Sequence, residues 1–459
     1  MERLRLPREF PGGTRFGREE EEAVLRVVRA RSPFRYYGEA CGFEVAALEA
    51  EFAAHLAAGG GSGPLHVTAV NSGTGALDVA LEALGVGAGD EVATQGFFWI
   101  STLGAIVRNR AVPVLVDSDD TLNLDPDDLA AKVTDRTKVV LPVHMAGEPA
   151  RIGRILEVVR TINADRAARG VPPLLVLEDC AQAIGGWGHG RPGSQAPLAP
   201  EGRYRLGTFG DAAIFSLQLN KNITCGEGGL IVCRDAALHR RVQVTHDVGF
   251  PRDARGTGNI EDPASPDLCW GQGRRMTELQ GALARVQLGR LGDIVASMRR
   301  SHAALEAHLA GRGLAVRAHE TPDASGHTGG FVAFRLPDAG PDAARLALGR
   351  AAAADLRRGG LLAVFLHDFE VHIYYNVPQL VQHRDLAGGC PWGCPKAPPG
   401  AASRDYGRGA LPRLDDAFAT TILFFVPSLL DASLERGICA LLDEVLDRHG
   451  AGAGVPFRA

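Results

Sequence analysis

The feature of this chain that most constrains its fold is a regular alternation of two hydrophobic patterns through its first half. Short apolar runs typical of β-strands alternate with stretches whose apolar residues recur at helical spacing. The strand candidates cover residues 66–70, 91–93, 113–117, 138–143, 174–179, 212–217 and 229–233. Helical patterns such as 76–84 and 152–162 lie between several of them. Strands separated by helices predict a mostly parallel sheet, with ligands bound beyond the carboxyl ends of its strands.

A long helical pattern over residues 276–310 connects these strands to a smaller C-terminal region. The strand and helix candidates of that region cover residues 330–336, 343–356, 361–366 and 434–445. We therefore predict an α/β fold, with a large domain over residues 1–290 and a smaller α+β domain over residues 291–459. The composition of a Pro- and Gly-rich insert at 388–400 predicts an irregular loop. The sequence does not assign a role to its Cys-Pro-Trp-Gly-Cys-Pro part at 390–395.

Composition and apolar patterning exclude several classes of function. The 459 residues carry a formal net charge of -5, which provides no basic surface for nucleic acid or an anionic membrane. The longest apolar stretches, 96–107 and 420–430, are too short to span a bilayer, and residues 1–16 lack the apolar core of a signal peptide. The eight cysteines form no disulfide framework and no complete zinc site. We expect a cytoplasmic protein without nucleic-acid, membrane or metal partners.

Lysine is rare in this chain, so its positions carry information. The lysines among the 49 basic residues are Lys132, Lys138, Lys221 and Lys396. Lys221 lies in a Gly-rich, apolar segment. Arginine cannot lose its proton, whereas a desolvated lysine can do so and form an imine. Lys221 is therefore a candidate for holding pyridoxal phosphate as a Schiff base.

A pyridoxal-phosphate site also needs a carboxylate for the ring nitrogen, donors for the phosphate and a flat cover for the ring. Asp179 ends a buried strand pattern and suits the first task, and an N-cap of the next helix explains it equally well. Gly73 and Thr74 open a helix after a strand, where free amides bind phosphate, although a plain turn is the commoner case. Trp99 suits a ring cover or an ordinary core position, and the Ser216 hydroxyl suits the phosphate.

Three sequence blocks in this order resemble the DegT/DnrJ/EryC1/StrS aminotransferases. The blocks are Ser-Gly-Thr at 72–74, Glu-Asp-Cys-Ala-Gln at 178–182, and Phe-Ser at 215–216 followed by Lys-Asn-Ile-Thr-Cys-Gly-Glu-Gly-Gly at 221–229. The resemblance covers roughly residues 10–300 and continues more loosely to the C-terminus. It implies a fold-type I pyridoxal-phosphate enzyme that aminates keto-sugars or keto-cyclitols, and a homodimer with active sites at the subunit interface.

The resemblance also implies roles for individual residues. Lys221 would be the Schiff-base lysine, and Asp179 the partner of the ring nitrogen. The residues implied to surround the cofactor are Gly73, Thr74, Trp99, Gln182 and Ser216. One departure concerns a family asparagine that reaches the phosphate of the other subunit. Its position is Gly273 here, so either Gln272 or Arg274 compensates or the contact is lost.

Candidate substrate residues lie in two segments. Residues 32–38 resemble a loop that lines the substrate entrance, which makes Tyr36 and Tyr37 candidates. His372 and Tyr374 lie where family members often place substrate-facing groups, and a strand with alternating aromatic packing explains them equally well.

We expect an aminotransferase that moves an amino group from glutamate or glutamine to a keto-sugar or keto-cyclitol, in the biosynthesis of an amino sugar or aminocyclitol natural product. Other pyridoxal-phosphate chemistry, such as sugar deoxygenation, and a non-catalytic regulatory protein that binds the cofactor are the alternatives. Family members that dehydrate replace the lysine with histidine, so Lys221 argues against deoxygenation. A regulatory protein would usually carry a DNA-binding extension, and neither end of the chain has a basic helix-turn-helix pattern.

Overall fold

The protein is described from a computed structural model over residues 3–7, 10–60, 63–194, 199–252, 264–265, 268–314, 326–337 and 339–450. Its strands are β1 (His66–Val70), β2 (Glu91–Gln95), β3 (Val112–Val116), β4 (Thr137–Leu141), β5 (Leu175–Asp179), β6 (Trp187–Gly190), β7 (Gly202–Arg205), β8 (Ala212–Ser216), β9 (Gly229–Cys233), β10 (Phe331–Arg335), β11 (Ala363–Phe365) and β12 (Thr421–Phe425). Its helices are α1 (Arg18–Arg29), α2 (Glu44–Ala57), α3 (Gly73–Ala83), α4 (Ile100–Arg108), α5 (Pro126–Lys132), α6 (Ile152–Arg169), α7 (Ala236–His246), α8 (Glu278–Gly311), α9 (Asp342–Arg358), α10 (Pro378–Val381), α11 (Pro412–Phe418) and α12 (Ala432–Arg448). Among the helices in these ranges, none is both long and apolar enough to cross a membrane.

Seven strands form the central sheet in the order β1-β9-β8-β5-β4-β2-β3. The strands from β8 to β3 in this order are parallel, whereas β9 is antiparallel to both of its neighbours. β3, β8 and β9 are buried along their whole length, which explains their continuous apolar runs. The predicted α/β fold with a mostly parallel sheet is confirmed. The carboxyl ends of β1, β2, β5 and β8 meet at one edge of this sheet.

A smaller antiparallel sheet, in the order β10-β12-β11, lies in the C-terminal region. Residues of α9 and α12 and the end of α8 share one hydrophobic cluster with it. The helix α8 has 34 residues and is continuous through residue 290. The predicted domain boundary at residue 290 therefore falls inside a helix.

The segment between β11 and β12 packs largely on the central sheet. Tyr374, Trp392 and Tyr406 belong to the same buried cluster as Phe97, which follows β2. The Tyr406 hydroxyl donates to the carbonyl of Pro113 at 2.7 Å. Much of residues 366–418 thus shares a hydrophobic core with the central sheet, although it lies in the C-terminal part of the sequence.

Residues before α1 contact the cluster of the small sheet and the loop between β8 and β9. Leu4 packs against the cluster of the small sheet, and its amide donates to the carbonyl of Gly359 at 2.8 Å. The amide of Gly12 donates to the carbonyl of Lys221 at 3.3 Å. A Cβ atom at Gly12 would lie 2.8 Å from the Cα of Ile223, so this close approach requires glycine.

Candidate active site

A cavity of about 450 Å³ opens beyond the carboxyl ends of β1, β2, β5 and β8. Residues at or just after strand ends form what we call its floor: Gly73, Thr74, Asp179, Ser216 and Lys221. Residues of the C-terminal region form what we call its wall: Phe331, Phe369, His372, Leu423 and Phe425. The cavity thus lies where the parallel sheet predicts a ligand.

Asp179 is the last residue of β5, and its side chain is buried in the floor. The carboxylate accepts hydrogen bonds from the Thr102 hydroxyl at 2.9 Å and the Ala181 amide at 3.0 Å. Burial raises the pKa of Asp179 although these bonds and the nearby Lys221 oppose the rise. Such a carboxylate is suited to a further cationic partner, as a protonated ring nitrogen would be. Turns rather than a helix follow Asp179, so the helix-cap interpretation is wrong.

The neighbouring Glu178 shows what a fully bonded buried carboxylate looks like. Its oxygens accept hydrogen bonds at 2.8–3.0 Å from the amides of Gly207, Phe209 and Gly210. A fourth partner, Nε2 of His144, lies 3.2 Å away. Glu178 therefore fixes the loop before β8, and its satisfied oxygens contrast with the incompletely compensated Asp179.

Lys221 lies five residues after β8 and lines the cavity. Burial lowers the pKa of Lys221 more than the attraction of Asp179 and Glu227 raises it. Within the described residues no carboxylate forms an ion pair with this amine. A buried amine with a lowered pKa is suited to act as a nucleophile and as a proton acceptor near neutral pH.

The first turn of α3 and the end of β8 form a cradle on the floor. The Ser72 hydroxyl caps α3, and the first amides of the helix, at Gly73 and Thr74, have no acceptor within the helix. The Thr74 hydroxyl lies 2.8 Å from that of Ser101. A Cβ atom at Gly73 would lie 2.8 Å from the Cβ of Ser216, so glycine keeps this space open. Free amides and hydroxyls at a helix N-terminus are the groups that bind a phosphate.

Trp99 and Gln182 line the sides of the cavity. Trp99 is 45% exposed, which excludes the ordinary core position. Its ring lies 4.8 Å from the ring of His372, tilted by 54°. The Oε1 atom of Gln182 accepts a hydrogen bond from the amide of Ala146 at 2.7 Å. An exposed indole at the cavity is placed to cover a flat ring.

Thr102 and most of the wall are not among the site residues predicted from the sequence. Phe331 and Phe425 are direct partners in the antiparallel β10–β12 register, with ring centroids 4.7 Å apart. The ring of Phe369 stacks on His372 at 3.7 Å. The pairing of distant strands creates this aromatic surface, so no local pattern could have revealed it. Thr102 had a weak signal, because it lies in the first turn of the helix that follows Trp99.

Three substrate candidates do not line the cavity of this chain. Tyr374 is fully buried, and its hydroxyl donates to the Asp415 carboxylate at 3.0 Å. The aromatic-packing interpretation is therefore right for Tyr374, and a substrate contact is wrong because its hydroxyl is satisfied in the core. The Tyr36 hydroxyl lies 3.2 Å from Nε2 of His246, and Tyr37 is 60% exposed on the surface.

Gly273, at the position of the family asparagine, has left-handed backbone with φ of 66°. This conformation favours glycine and is tolerated by asparagine, so the two residue types share a backbone. Gln272 donates a hydrogen bond to Glu82, and Arg274 pairs with Asp78 at 3.2 Å. Both residues are thus engaged on α3 of their own chain.

The site fits pyridoxal phosphate, because the floor provides an amine, a carboxylate and a phosphate cradle in one cavity. With the mostly parallel sheet that carries them, these groups define a fold-type I pyridoxal-phosphate-dependent enzyme. The chain belongs to the DegT/DnrJ/EryC1/StrS aminotransferase family, whose model matches residues 19–347. The resemblance found in the three sequence blocks is therefore confirmed, and so is the cofactor.

Individual relatives show how far the likeness extends. The chain is 35% identical over 277 residues to the L-glutamine:2-deoxy-scyllo-inosose aminotransferase of Streptomyces kanamyceticus, covering 60% of this chain and 59% of that protein. It is 35% identical to the 3-amino-5-hydroxybenzoate synthase of Amycolatopsis mediterranei, covering 63% and 64%. The crystal structure of a 3-amino-5-hydroxybenzoic acid synthase has a TM-score of 0.72 and 27% identity, covering 96% of this chain and 99% of that one. The matched sequence thus spans less than two thirds of both curated relatives.

Proposed function

We propose that this protein transfers an amino group from glutamine or glutamate to a ketone on a sugar or cyclitol ring. The observation that carries the proposal is the meeting of Lys221 and Asp179 in the floor of one cavity. The first relative is named as an aminotransferase with glutamine as donor and a cyclic polyol ketone as acceptor. This name supports the proposed donor and the proposed class of acceptor. The product would be an amino sugar or an aminocyclitol.

Pyridoxal phosphate, when bound, supplies an electron-withdrawing ring that stabilises negative charge on a neighbouring carbon. Lys221 would hold the cofactor covalently, and Asp179 would pair with its ring nitrogen. Gly73, Thr74 and Ser216 would hold its phosphate. Thr102 and the Ala181 amide orient the Asp179 carboxylate, so that its charge faces the cavity.

Lys221 is the group that would move the proton between donor carbon and cofactor. Its lowered pKa leaves a larger fraction of neutral amine near neutral pH than an exposed lysine has. Neutral Nζ can accept a proton from one carbon and return it to another. Asp179 stays close enough to stabilise the protonated amine, since the attraction between the two groups raises the pKa of Lys221.

The wall would exclude water and select the acceptor. Phe331, Phe369 and Phe425 present flat apolar faces that suit the C–H face of a six-membered ring. Burial, the largest influence, lowers the pKa of His372 to about 4, and the nearby charge of Lys221 adds to the effect. A neutral imidazole offers one donor and one acceptor, which suits a hydroxyl group of the acceptor.

The proposal includes a cytoplasmic homodimer. Exposed aromatic side chains, such as Tyr37 at 60% and Trp270 at 95%, are typical of a surface that binds a protein partner. Tyr36 and Tyr37 do not line the cavity of their own chain, and in a homodimer they would lie at the edge of the partner subunit's cavity. All eight cysteines have free thiols, which agrees with a reducing compartment.

The test has a binding step and a turnover step. Borohydride reduction of the cofactor-loaded protein, followed by peptide mapping, should place the added mass on the peptide that contains Lys221. Mass spectrometry of reactions with glutamine or glutamate and a panel of keto-inositols and nucleotide-linked keto-sugars should then show an aminated product. A labelled peptide other than that of Lys221 would contradict the assigned attachment. Cofactor binding without amination of any acceptor would favour the regulatory alternative.

A further inference from the structure

Three arginine side chains gather beside the β6–β7 hairpin, outside the cavity. This arginine cluster consists of Arg203 and Arg205 on β7 and Arg299 on α8. Nη1 of Arg205 and Nη2 of Arg299 both donate to the carbonyl oxygen of Gly185, each at 3.3 Å. The Arg203 guanidinium covers the Trp187 ring at 3.1 Å from its centroid. In the described ranges of the chain, no carboxylate forms an ion pair with any of the three.

The charges of the cluster oppose one another. Burial, followed by repulsion from Arg205 and Arg203, lowers the pKa of Arg299 to about 10. Burial and then Arg203 lower the pKa of Arg205 as well. Burial and Arg205 together lower the pKa of the nearby His55 to about 4. The cluster therefore concentrates positive charge. Backbone carbonyl dipoles stabilise this charge but do not neutralise it.

Two buried polar atoms at the cluster lack partners. Neither Nε of Arg205 nor Nε2 of His55 has a hydrogen-bond partner in the described structure. A Cβ atom at Gly59 would lie 2.5 Å from Cγ of Arg205, so Gly59 makes room for this arginine stem. Guanidinium donors left free beside uncompensated charge are the features of an oxyanion site, since their fork geometry matches oxygen pairs.

We propose that Arg203, Arg205 and Arg299 bind a phosphate-type oxyanion at a second site, separate from the cofactor cavity. None of the three residues lines that cavity. A phosphate group suits the cluster better than a single carboxylate does, because a dianion with several oxygens offsets more of the charge of three guanidinium groups. The phosphate is either free in solution or carried by a small metabolite.

The test uses the cofactor-loaded enzyme, so that the cradle at Gly73 is already occupied. Thermal unfolding and titration calorimetry compare inorganic phosphate and glucose 6-phosphate with chloride at equal ionic strength. Wild-type protein should bind at least one of the two phosphates and show a raised Tm in its presence. Arg205→Gln and the more exposed Arg203→Gln should each weaken that binding by about tenfold or more.

The matched control is Arg300→Gln, which removes the exposed arginine next to Arg299 on α8. Arg300 contacts the Ser297 hydroxyl at 3.3 Å and lies outside the cluster. Its variant should keep wild-type phosphate affinity. Stronger binding of inorganic phosphate or of glucose 6-phosphate identifies the free or the carried group. Binding of neither by wild type, or an equal loss in Arg300→Gln, overturns the proposal.

Discussion

The floor and the wall line the same cavity but are built differently. Each floor residue lies at the end of a strand or within a few residues of one, so the parallel sheet fixes its place. The wall depends on the β10–β12 pairing and on the segment after β11, which is hydrogen-bonded to the residues that follow β2. The amide of Phe98, for example, donates to the carbonyl of His372 at 3.0 Å.

The two tasks of the site, chemistry and choice of acceptor, are divided between floor and wall. The floor residues include a carboxylate, the first amides of α3 and the Lys221 amine, which the proposed mechanism uses with every donor and acceptor. The wall is mostly aromatic, and its one imidazole is neutral. We therefore expect floor substitutions to abolish both half-reactions, and wall substitutions to affect the acceptor alone.

The largest effect should come from Lys221→Ala. It removes the attachment point and the proton carrier, so the amination rate should fall by about 10³-fold or more. Borohydride treatment should no longer attach the cofactor to the peptide of residue 221. Lys396→Ala, which changes an exposed lysine, should keep wild-type kinetics and labelling. Normal turnover by Lys221→Ala would show that Lys221 is not needed for the reaction, which would contradict the proposed role of the floor.

Asp179→Asn should lower turnover by about 10²-fold, since the ring nitrogen loses its charged partner. The same change should stabilise the cofactor-free protein. Burial raises the pKa of Asp179 in the folded state, so its ionisation costs stability as the pH rises through the unfolded and then the folded pKa.

Urea unfolding of the cofactor-free forms at pH 7.5 measures this gain in stability. Glu178→Gln provides the opposite case, because it weakens the acceptor of three backbone amides and should destabilise the protein. If Asp179→Asn and Glu178→Gln both destabilised the cofactor-free protein, the contrast between these adjacent carboxylates would be wrong.

Phe425→Leu should raise the KM for the acceptor by about tenfold, since it removes a flat ring from the wall. The half-reaction with the donor should keep its rate, and cofactor absorbance should be unchanged. Stopped-flow spectra with the donor alone, beside steady-state kinetics with the acceptor, separate the two. An equal loss in both half-reactions would show that the wall does not act on the acceptor alone.

The smallest effect is expected on the stability of the protein at low pH, through the protonation of His372. Its pKa is about 4 in the folded protein and near 6.5 when unfolded, so the unfolded chain takes up this proton first as the pH falls. The folded state therefore loses stability between about pH 6.5 and pH 4, and His372→Gln should lose less. Urea unfolding at pH 7.5 and pH 5 measures the difference, with the exposed His189→Gln as control. His246 and other buried histidines also lower the stability at pH 5, so part of the loss remains in both wild type and His372→Gln.

The floor is far more predictable from the sequence than the wall, for a physical reason. A buried strand is a short apolar run, and the residue that ends it is readable, as Asp179 was. The fold, the family and the cofactor followed from such local blocks. For Tyr374 the sequence leaves a substrate contact and core packing equally open, because it does not show that the hydroxyl meets Asp415. Phe331 and Phe425 could not be predicted, since only the register of two distant strands joins them.

The contacts of the residues before α1 limit the order in which parts of the protein can fold during synthesis. Leu4 is bonded to Gly359, and Gly12 to Lys221, so each partner leaves the ribosome long after the residue that needs it. Local helices and the first βαβ units can form during synthesis, whereas these long loops close late. Leu4 and Gly12 therefore reach their native contacts later than residues whose partners lie nearby in the sequence. The contact of Gly12 with the loop of Lys221 can form only after residue 221 has been synthesised.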